Sequence, residues 1–233
     1  MACASFLWQK VGDGLPAAVF LPGWASDERI FSGLDWPANR LLAKGPPSGE
    51  LHGELARYIR SRGLAPVSLF GWSLGGFMAV EFSRLFPDLV SQLILCGVRR
   101  GYAPQEIALA KAGVSAQREM FLASFYRRCF LPAQKEDFRR FRAKLMPRYL
   151  REFGTDELLR SLDYLAQARI RPEDLGGHPV CLLHGLHDKV APVEEARAIA
   201  AAAVRVRLHV LPHGAHAAFL TPPARPILAS CLT

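Results

Sequence analysis

The stretch Val67-Ser68-Leu69-Phe70-Gly71-Trp72-Ser73-Leu74-Gly75-Gly76 decides the fold of this chain. Its first residues, which follow Pro66, predict a short buried strand, and the apolar residues beyond it predict a helix that stops at Pro87. Ser73 lies at the break between strand and helix. In the pattern Gly-x-Ser-x-Gly, the glycines let strand and helix approach closely, and the sharp turn pushes the serine hydroxyl outward. Ser73 is therefore a candidate nucleophile.

Strand and helix patterns alternate on both sides of this stretch. Alternation of this kind predicts an α/β fold, with a mostly parallel sheet and helices on both of its faces. The predicted strands are residues 6–11, 17–21, 39–43, 67–70, 89–97, 180–184 and 206–211. Outside the insertion described next, the further predicted helices are residues 50–62, 193–203 and a segment after residue 223.

Residues 99–171, called the lid below, differ from the rest of the chain in pattern and in charge. They show only helical stretches separated by glycine and proline, which predicts a helical insertion into a core of residues 1–98 and 172–233. The whole chain has 29 lysines and arginines against 21 aspartates and glutamates. The lid alone has 16 against 8, so it carries the entire net charge of +8. A surface of this kind attracts acidic partners.

Composition limits the class of protein further. The chain has 233 residues, half of them hydrophobic, which is enough for one well-buried domain. No run reaches the roughly 18 apolar residues of a membrane span, and the first ten residues lack a basic leader, so we expect a soluble cytoplasmic protein. The five cysteines are widely spaced, which predicts reduced, mostly buried thiols and no zinc or redox motif.

A serine hydroxyl needs a base to take its proton and a group to orient that base. Asp188 follows the strand predicted at residues 180–184, and His216 follows the next predicted strand. Because parallel strands end at the same edge of a sheet, Ser73, Asp188 and His216 can meet there. In this arrangement His216 takes the Ser73 proton, while Asp188 orients the imidazole and stabilises its charged form.

Other residues compete for these roles. His213 lies close to His216 in sequence, but it comes directly after Pro212 at the end of the strand. Asp163 is an alternative acid, although its helical surroundings favour a solvated surface position. His184 and His187 are interpreted as supports of the loop that carries Asp188. Together, His184, His187 and Asp188 could resemble a metal site, but the two histidines fit a role in the acid loop more simply. Acyl transfer by a serine requires neither metal nor organic cofactor, so we expect none.

The negative oxygen that develops in acyl transfer needs hydrogen-bond donors. The backbone amide of Leu74, directly after the nucleophile, is one candidate. The backbone amide of Trp24, in the loop that follows the second predicted strand, is the other. The alternative interpretation of Gly23-Trp24 is a simple turn with a buried aromatic ring.

The assembled motifs make the chain resemble the α/β-hydrolase superfamily over nearly its full length. Within it, the chain is most similar to the pimeloyl-acyl-carrier-protein methyl ester esterases of biotin biosynthesis. The likeness rests on Gly23-Trp24, the Gly-Trp-Ser-Leu-Gly-Gly run that begins at Gly71, and Gly-Ala-His-Ala-Ala-Phe around His216. It also includes Phe-Leu-Ala-Ser-Phe from Phe121 in the lid. Pro22 stands where the family usually has a histidine.

This resemblance implies a serine esterase that removes the methyl ester at the far end of a pimeloyl chain attached to an acidic acyl carrier protein. It implies an acyl channel lined by Phe121, Leu122 and Phe125, in addition to Trp24, Ser73 and Leu74. Clustered positive charge on the lid suits such a carrier. The candidate carrier contacts are Arg118, Arg127, Arg128, Arg139, Arg140 and Arg142. We expect the enzyme to act as a monomer.

Two other functions remain open at this point. The same catalytic residues serve small-molecule carboxylesterases, thioesterases and carbon–carbon bond hydrolases, since a fold does not fix its substrate. A hydrolase-like scaffold can also bind an acidic partner without catalysis, but the complete order of serine, acid and histidine argues against this. No nucleic-acid-binding motif is present, so nucleic acid is not an expected partner.

Overall fold

The computed structural model describes residues 5–34, 36–44 and 51–232. Within these residues, seven strands form one sheet in the order β1-β3-β2-β4-β5-β6-β7. The strands are β1 (Ser5–Gln9), β2 (Ala17–Leu21), β3 (Asn39–Lys44), β4 (Val67–Trp72), β5 (Val90–Cys96), β6 (Val180–Gly185) and β7 (Val206–Leu211).

The sheet is parallel except for β1, which pairs with β3 in the antiparallel direction. β4 lies near its centre and is buried along its whole length, as expected for a strand covered on both faces. The register places Leu21 beside Gly71, Trp72 beside Cys96, and Gly185 beside Leu211. The carboxyl ends of the six parallel strands therefore lie at one edge of the sheet.

Eight α-helices connect and follow these strands within the described residues. They are α1 (Leu51–Ser61), α2 (Leu74–Leu85), α3 (Pro104–Phe130), α4 (Lys135–Lys144), α5 (Met146–Glu152), α6 (Thr155–Gln167), α7 (Val193–Ala202) and α8 (Ala224–Leu232). None of them is both long enough and apolar enough to cross a bilayer. The lid consists of α3 to α6, between β5 and β6, and α3 bends at Gln117, whose φ of −151° and ψ of 67° are not helical.

The predicted fold class is confirmed, and the strands lie within two residues of their predicted bounds. Glu50, the first residue of the helix predicted at residues 50–62, lies outside the described residues. The prediction that the cysteines are reduced is wrong for Cys181 and Cys231, which are joined by a disulfide. Cys96 and Cys129 are free and buried, whereas Cys3 lies outside the described residues.

A cluster of aromatic side chains packs against β4 near its carboxyl end. Phe70 on β4 packs against Trp36, with ring centres 4.7 Å apart, and against Phe219, at 5.5 Å. Phe219 in turn contacts Trp72, the residue before the candidate nucleophile. Complete burial of an aromatic side chain such as Phe70 stabilises the fold by about 1.5–3 kcal/mol. The cluster thus fixes the strand end that presents Ser73.

Candidate active site

Ser73 occupies a strained turn between β4 and α2. Its φ of 54° and ψ of −115° are rare for a residue with a side chain. Its N–H donates to the Cys96 carbonyl at 2.9 Å, which ties the turn to β5. A Cβ on Gly71 would lie 2.5 Å from the Gly75 carbonyl oxygen, and a Cβ on Gly75 would lie 2.1 Å from that of Leu21. Only glycine fits these two positions, as the sequence pattern predicted.

Asp188 and His216 form a buried pair at the same edge. His216 Nδ1 lies 2.7 Å from Asp188 Oδ2. The other carboxylate oxygen accepts hydrogen bonds from the backbone N–H groups of Val190 and Ala191, both at 2.8 Å. Burial opposes the charge of Asp188, but His216 and these hydrogen bonds outweigh it and hold its pKa below the ordinary value. The carboxylate is therefore charged and available to orient the imidazole.

The second nitrogen of His216 is buried and has no hydrogen-bond partner among the described residues. Trp72 Nε1 donates to the His216 carbonyl at 2.9 Å, so the residue before Ser73 holds the loop that carries His216. Hydrogen bonds between nucleophile and base are often loose in proteins without substrate and tighten in the complex. His216 Nε2 is thus open to accept a proton.

The competing residues lie apart from this pair or support it. His184 Nε2 donates to the Ala191 carbonyl at 2.7 Å and lies 3.4 Å from Asp188 Oδ2, and burial lowers the pKa of His184. The neutral imidazole of His184 therefore supports the loop that carries Asp188. His213 is exposed, and Asp163 on α6 is exposed and paired with a lysine. The structure brings neither of them to Ser73.

Trp24 and Leu74 flank the turn at Ser73. Leu74 is the first residue of α2, so its N–H has no acceptor within that helix. Trp24 is buried in the loop after β2, where its Nε1 donates to the Leu158 carbonyl at 3.2 Å. The preceding Gly23 packs closely enough that a Cβ there would lie 3.3 Å from Ser73 Cβ. This loop therefore contacts the nucleophile turn directly.

A cavity of about 230 Å³ opens above Ser73, between the core and the lid. Phe121 and Phe125, two of the predicted acyl contacts, line this cavity. Leu122, the third predicted acyl contact, is completely buried and does not line it, because its position on α3 points it into the packing of the lid. The cavity is lined by Trp24, Ser73, Tyr102, Glu106, Ile107, Leu109, Ala110, Phe121, Phe125, Arg128, Leu162, Leu165, Lys189 and Val190.

The six predicted carrier contacts divide into different environments. Arg128 is exposed and lines the cavity, together with Lys189 from the core. Arg118 is largely covered and donates to a backbone carbonyl of the lid. Arg139 and Arg140 are exposed but form ion pairs within α4. Of the remaining two exposed residues, Arg127 lies over the ring of Phe138, and Arg142 lies on α4. Only Arg128 among the six is placed at the cavity.

Two side chains at the site were not predicted from the sequence. Tyr102 lines the cavity and lies close enough to Ser73 for the serine to influence its pKa, which burial raises. Gln134 is buried in the lid, accepts from the Ala215 N–H at 2.8 Å and donates to the Ala217 carbonyl at 3.0 Å. It therefore grips the backbone on both sides of His216. The position of Tyr102 in the segment after β5 could have indicated that it lies near the site. No feature of the sequence around Gln134 indicated its contact with the loop of His216.

The fold and the site define the class of this protein. A family model described as the alpha/beta hydrolase fold matches residues 55–223, and the chain belongs to that family. A solved structure, an esterase from Exiguobacterium antarcticum, superposes with a TM-score of 0.78 at 18% identity, covering 98% of this chain and 92% of that chain. This second likeness concerns the fold alone.

Curated relatives are more specific. The chain is 29% identical to a pimeloyl-[acyl-carrier protein] methyl ester esterase from Nitrosomonas europaea, over 94% of this chain and 96% of that protein. It is 27% identical to a protein of the same name from Methylococcus capsulatus, over 88% of this chain and 89% of that protein. The resemblance drawn from the motifs is thus confirmed.

Proposed function

We propose that this chain is a serine carboxylesterase that hydrolyses the methyl ester of a pimeloyl group carried on acyl carrier protein. The observation that carries the proposal is the buried Asp188–His216 pair, whose histidine loop is bonded to Trp72 next to Ser73, together with the largely apolar cavity that Ser73 lines. Family membership and the names of the curated relatives support ester hydrolysis.

In the proposed mechanism, His216 Nε2 takes the Ser73 proton while Oγ attacks the ester carbonyl. The amides of Leu74 and Trp24 stabilise the resulting oxyanion. When the intermediate collapses, His216 returns the proton to the departing methoxide, and methanol leaves. A water molecule, deprotonated by His216, then attacks the acyl-enzyme, and collapse frees the carboxylate product and Ser73. Asp188 stays charged throughout and stabilises the imidazolium.

The cavity suits an acyl chain joined to a charged carrier. Phe121, Phe125 and Leu162 offer apolar surface for the methylene groups, and burial stabilises each by about 0.8 kcal/mol. Arg128 and Lys189 line the same cavity and can meet the anionic groups of a carrier and its prosthetic arm. We propose that the enzyme acts as a monomer in the cytoplasm.

Replacement of the nucleophile tests the chemical part of this proposal. Ser73→Ala should lower kcat for a chromogenic ester by at least about 10⁴-fold, since the serine acts as one unit with its base. Ser83→Ala is the matched control, because Ser83 is a buried serine of α2 whose hydroxyl donates to the carbonyl of Val80 in its own helix. Unchanged hydrolysis by Ser73→Ala would remove the assignment.

A salt series tests the carrier part. The kcat/KM for methyl pimeloyl-carrier should exceed that for a free short-chain methyl ester at low salt and should fall steeply as salt is added, because ions screen exposed charges beyond about 10 Å at 0.1 M. The free ester should show little dependence on salt. Equal and salt-insensitive rates for both substrates would exclude the carrier.

One observation favours a second candidate function. Arg118, Arg139 and Arg140 are engaged within the lid, so the charge excess at the cavity is smaller than the lid's net charge suggests. A carboxylesterase for small free esters fits this arrangement. The same salt series distinguishes it, because such an enzyme would prefer the free ester at every salt concentration.

A further inference from the structure

Cys181, His209 and Cys231 come together beside the edge strand of the sheet. The register pairs Leu183 of β6 with His209 of β7, so Cys181 and His209 project from the same face of neighbouring strands. Helix α8 brings Cys231 over this face. One ligand atom from each side chain lies within 4.8 Å of the other two. Among the described residues, no other group of histidine, cysteine and carboxylate side chains converges as closely.

The donor set fits a thiophilic cation. Two thiolates and one imidazole are ligands that zinc prefers, and a water molecule can complete the four. With Zn–S bonds of about 2.3 Å, ligand atoms of a tetrahedral site lie roughly 3.7 Å apart. The spread of 4.8 Å or less needs only small side-chain movements to reach this geometry.

His209 adds an independent indication. Its Nε2 is buried and has no hydrogen-bond partner among the described residues. An unpartnered buried nitrogen costs stability, and coordination to a metal ion can recover it.

We propose that Cys181, His209 and Cys231 form a redox-gated binding site for a thiophilic divalent cation such as Zn²⁺. In the oxidised chain the two sulfurs are bonded to each other, with Cα atoms 6.5 Å apart. A phosphine reductant breaks this bond with two electrons: it takes the oxygen of one water molecule as phosphine oxide, and the two hydrogens remain on the sulfurs. Zn²⁺ then displaces these two protons and binds both thiolates.

The site is separate from the proposed catalytic machinery. Cys181 is the second residue of β6, whereas Asp188 follows the opposite end of that strand. Either the disulfide or the metal fastens α8 to the edge of the sheet, and the reduced, metal-free chain has neither. Zinc should therefore raise the Tm of the reduced protein and leave its kcat unchanged.

The test uses the full chain, reduced with a phosphine under nitrogen and desalted. We expect one Zn²⁺ per chain by elemental mass spectrometry, a thiolate-to-metal absorption band with Co²⁺, and protection of Cys181 and Cys231 from alkylation. The oxidised chain should bind neither metal. Since loss of even an outer-shell partner costs about 10- to 100-fold in affinity, Cys231→Ser should weaken Zn²⁺ binding by at least ~100-fold.

Matched controls separate this site from adventitious binding. His209→Gln should weaken Zn²⁺ binding, whereas His213→Ala, which removes an exposed histidine, and Cys129→Ala, which removes a free buried thiol, should not. If a variant fails to fold, the Co²⁺ band and the alkylation pattern of the wild type still decide. Substoichiometric zinc, a Co²⁺ spectrum without thiolate absorption, or a pair that stays oxidised in phosphine would overturn the proposal.

Discussion

The sheet edge and the lid both contribute to the cavity above Ser73, but they are built differently. At the sheet edge, Ser73, Asp188 and His216 are buried and held by backbone hydrogen bonds. On the lid, charged side chains are exposed and pair mainly with one another, as Arg139 does with Glu136. The core supplies the candidate catalytic residues, and the lid supplies apolar walls and charge.

The two regions nevertheless contact each other closely at the loop that carries His216. Gln134 of the lid bonds to the backbone at Ala215 and Ala217, and the Cys129 carbonyl accepts from the Ala217 N–H at 3.0 Å. The loop that carries His216 is therefore fixed partly by the lid. The lid thus contacts the loop of His216 through its backbone and separately lines the cavity, so variants can test the two contacts independently.

The largest effect should come from the core. Asp188→Asn should lower kcat by about 10⁴-fold, because an amide disfavours the imidazole tautomer that accepts the Ser73 proton. Asp163→Asn is the control, and its kcat should stay close to that of the wild type because Asp163 is an exposed residue of α6. Steady-state kinetics with a chromogenic ester measure both. A large loss of kcat in Asp163→Asn, with none in Asp188→Asn, would mean that Asp163 and not Asp188 orients the catalytic histidine.

Stability of the same variant should depend on pH. Because the pKa of Asp188 is lowered in the folded chain, its charge stabilises the fold above the ordinary aspartate pKa of about 3.9 and loses this effect as pH falls through the folded value. The difference in unfolding free energy between wild type and Asp188→Asn should therefore narrow below about pH 4. Denaturant titrations across pH check this, and a constant difference would contradict it.

Gln134→Ala should have the next largest effect. It leaves the buried groups at Ala215 and Ala217 without their partner, which costs about 1–3 kcal/mol of stability, and it loosens the loop of His216. We expect kcat to fall by about tenfold with little change in KM, since 1.4 kcal/mol in the barrier corresponds to tenfold in rate. The exposed Gln105 of α3 provides the control, Gln105→Ala. A change in KM alone would assign Gln134 to substrate binding.

Tyr102→Phe should give a smaller loss. The variant keeps the ring against Arg99 and Phe77 and removes only the hydroxyl near Ser73. A neutral hydrogen bond contributes about 0.5–1.5 kcal/mol, so kcat should fall by roughly two- to tenfold. Tyr164→Phe is the control and should not change kcat, because the Tyr164 hydroxyl donates to Glu81, away from Ser73. Equal kinetics in both variants would leave Tyr102 only a packing role.

The smallest effect concerns charge on the lid. Arg128→Ala should lower kcat/KM for a carrier-bound ester by about threefold at low salt, since an exposed ionic contact contributes roughly 0.2–1 kcal/mol. Arg139→Ala should have no effect, because Arg139 lies outside the cavity and pairs within α4. Rates measured across a salt series check the pair. Similar losses of kcat/KM in both variants would indicate that the net positive charge of the whole lid, and not a contact at Arg128, attracts the carrier.

The geometry of the candidate active site was largely predictable because its sequence signals are local. The glycines around Ser73 are required by contacts with residues next to them in the chain or on the adjacent strand. Asp188 and His216 each follow a strand, and parallel strands bring such loops to one edge whatever their distance in sequence. Tyr102 also follows a strand, but no motif around it distinguishes it from other loop residues.

Positions in the lid were harder to predict. Helical periodicity predicted that Leu122 lies on the packed face of its helix. It did not show whether the side chain faces the cavity or the interior of the lid. Nor does net charge show that Arg118 bonds to a carbonyl or that Arg139 pairs within its helix. These outcomes depend on how α3 to α6 pack against one another.

The sheet, the turn at Ser73 and the order of the three candidate catalytic residues could be predicted from sequence alone, because strand period and glycine sterics act over short distances. Tertiary packing was needed to place Gln134 against the loop of His216 and to bring Cys181, His209 and Cys231 together. These contacts join residues at least 22 positions apart in the chain. The packing of helices against the sheet places such residues together, and neither composition nor periodicity encodes that placement.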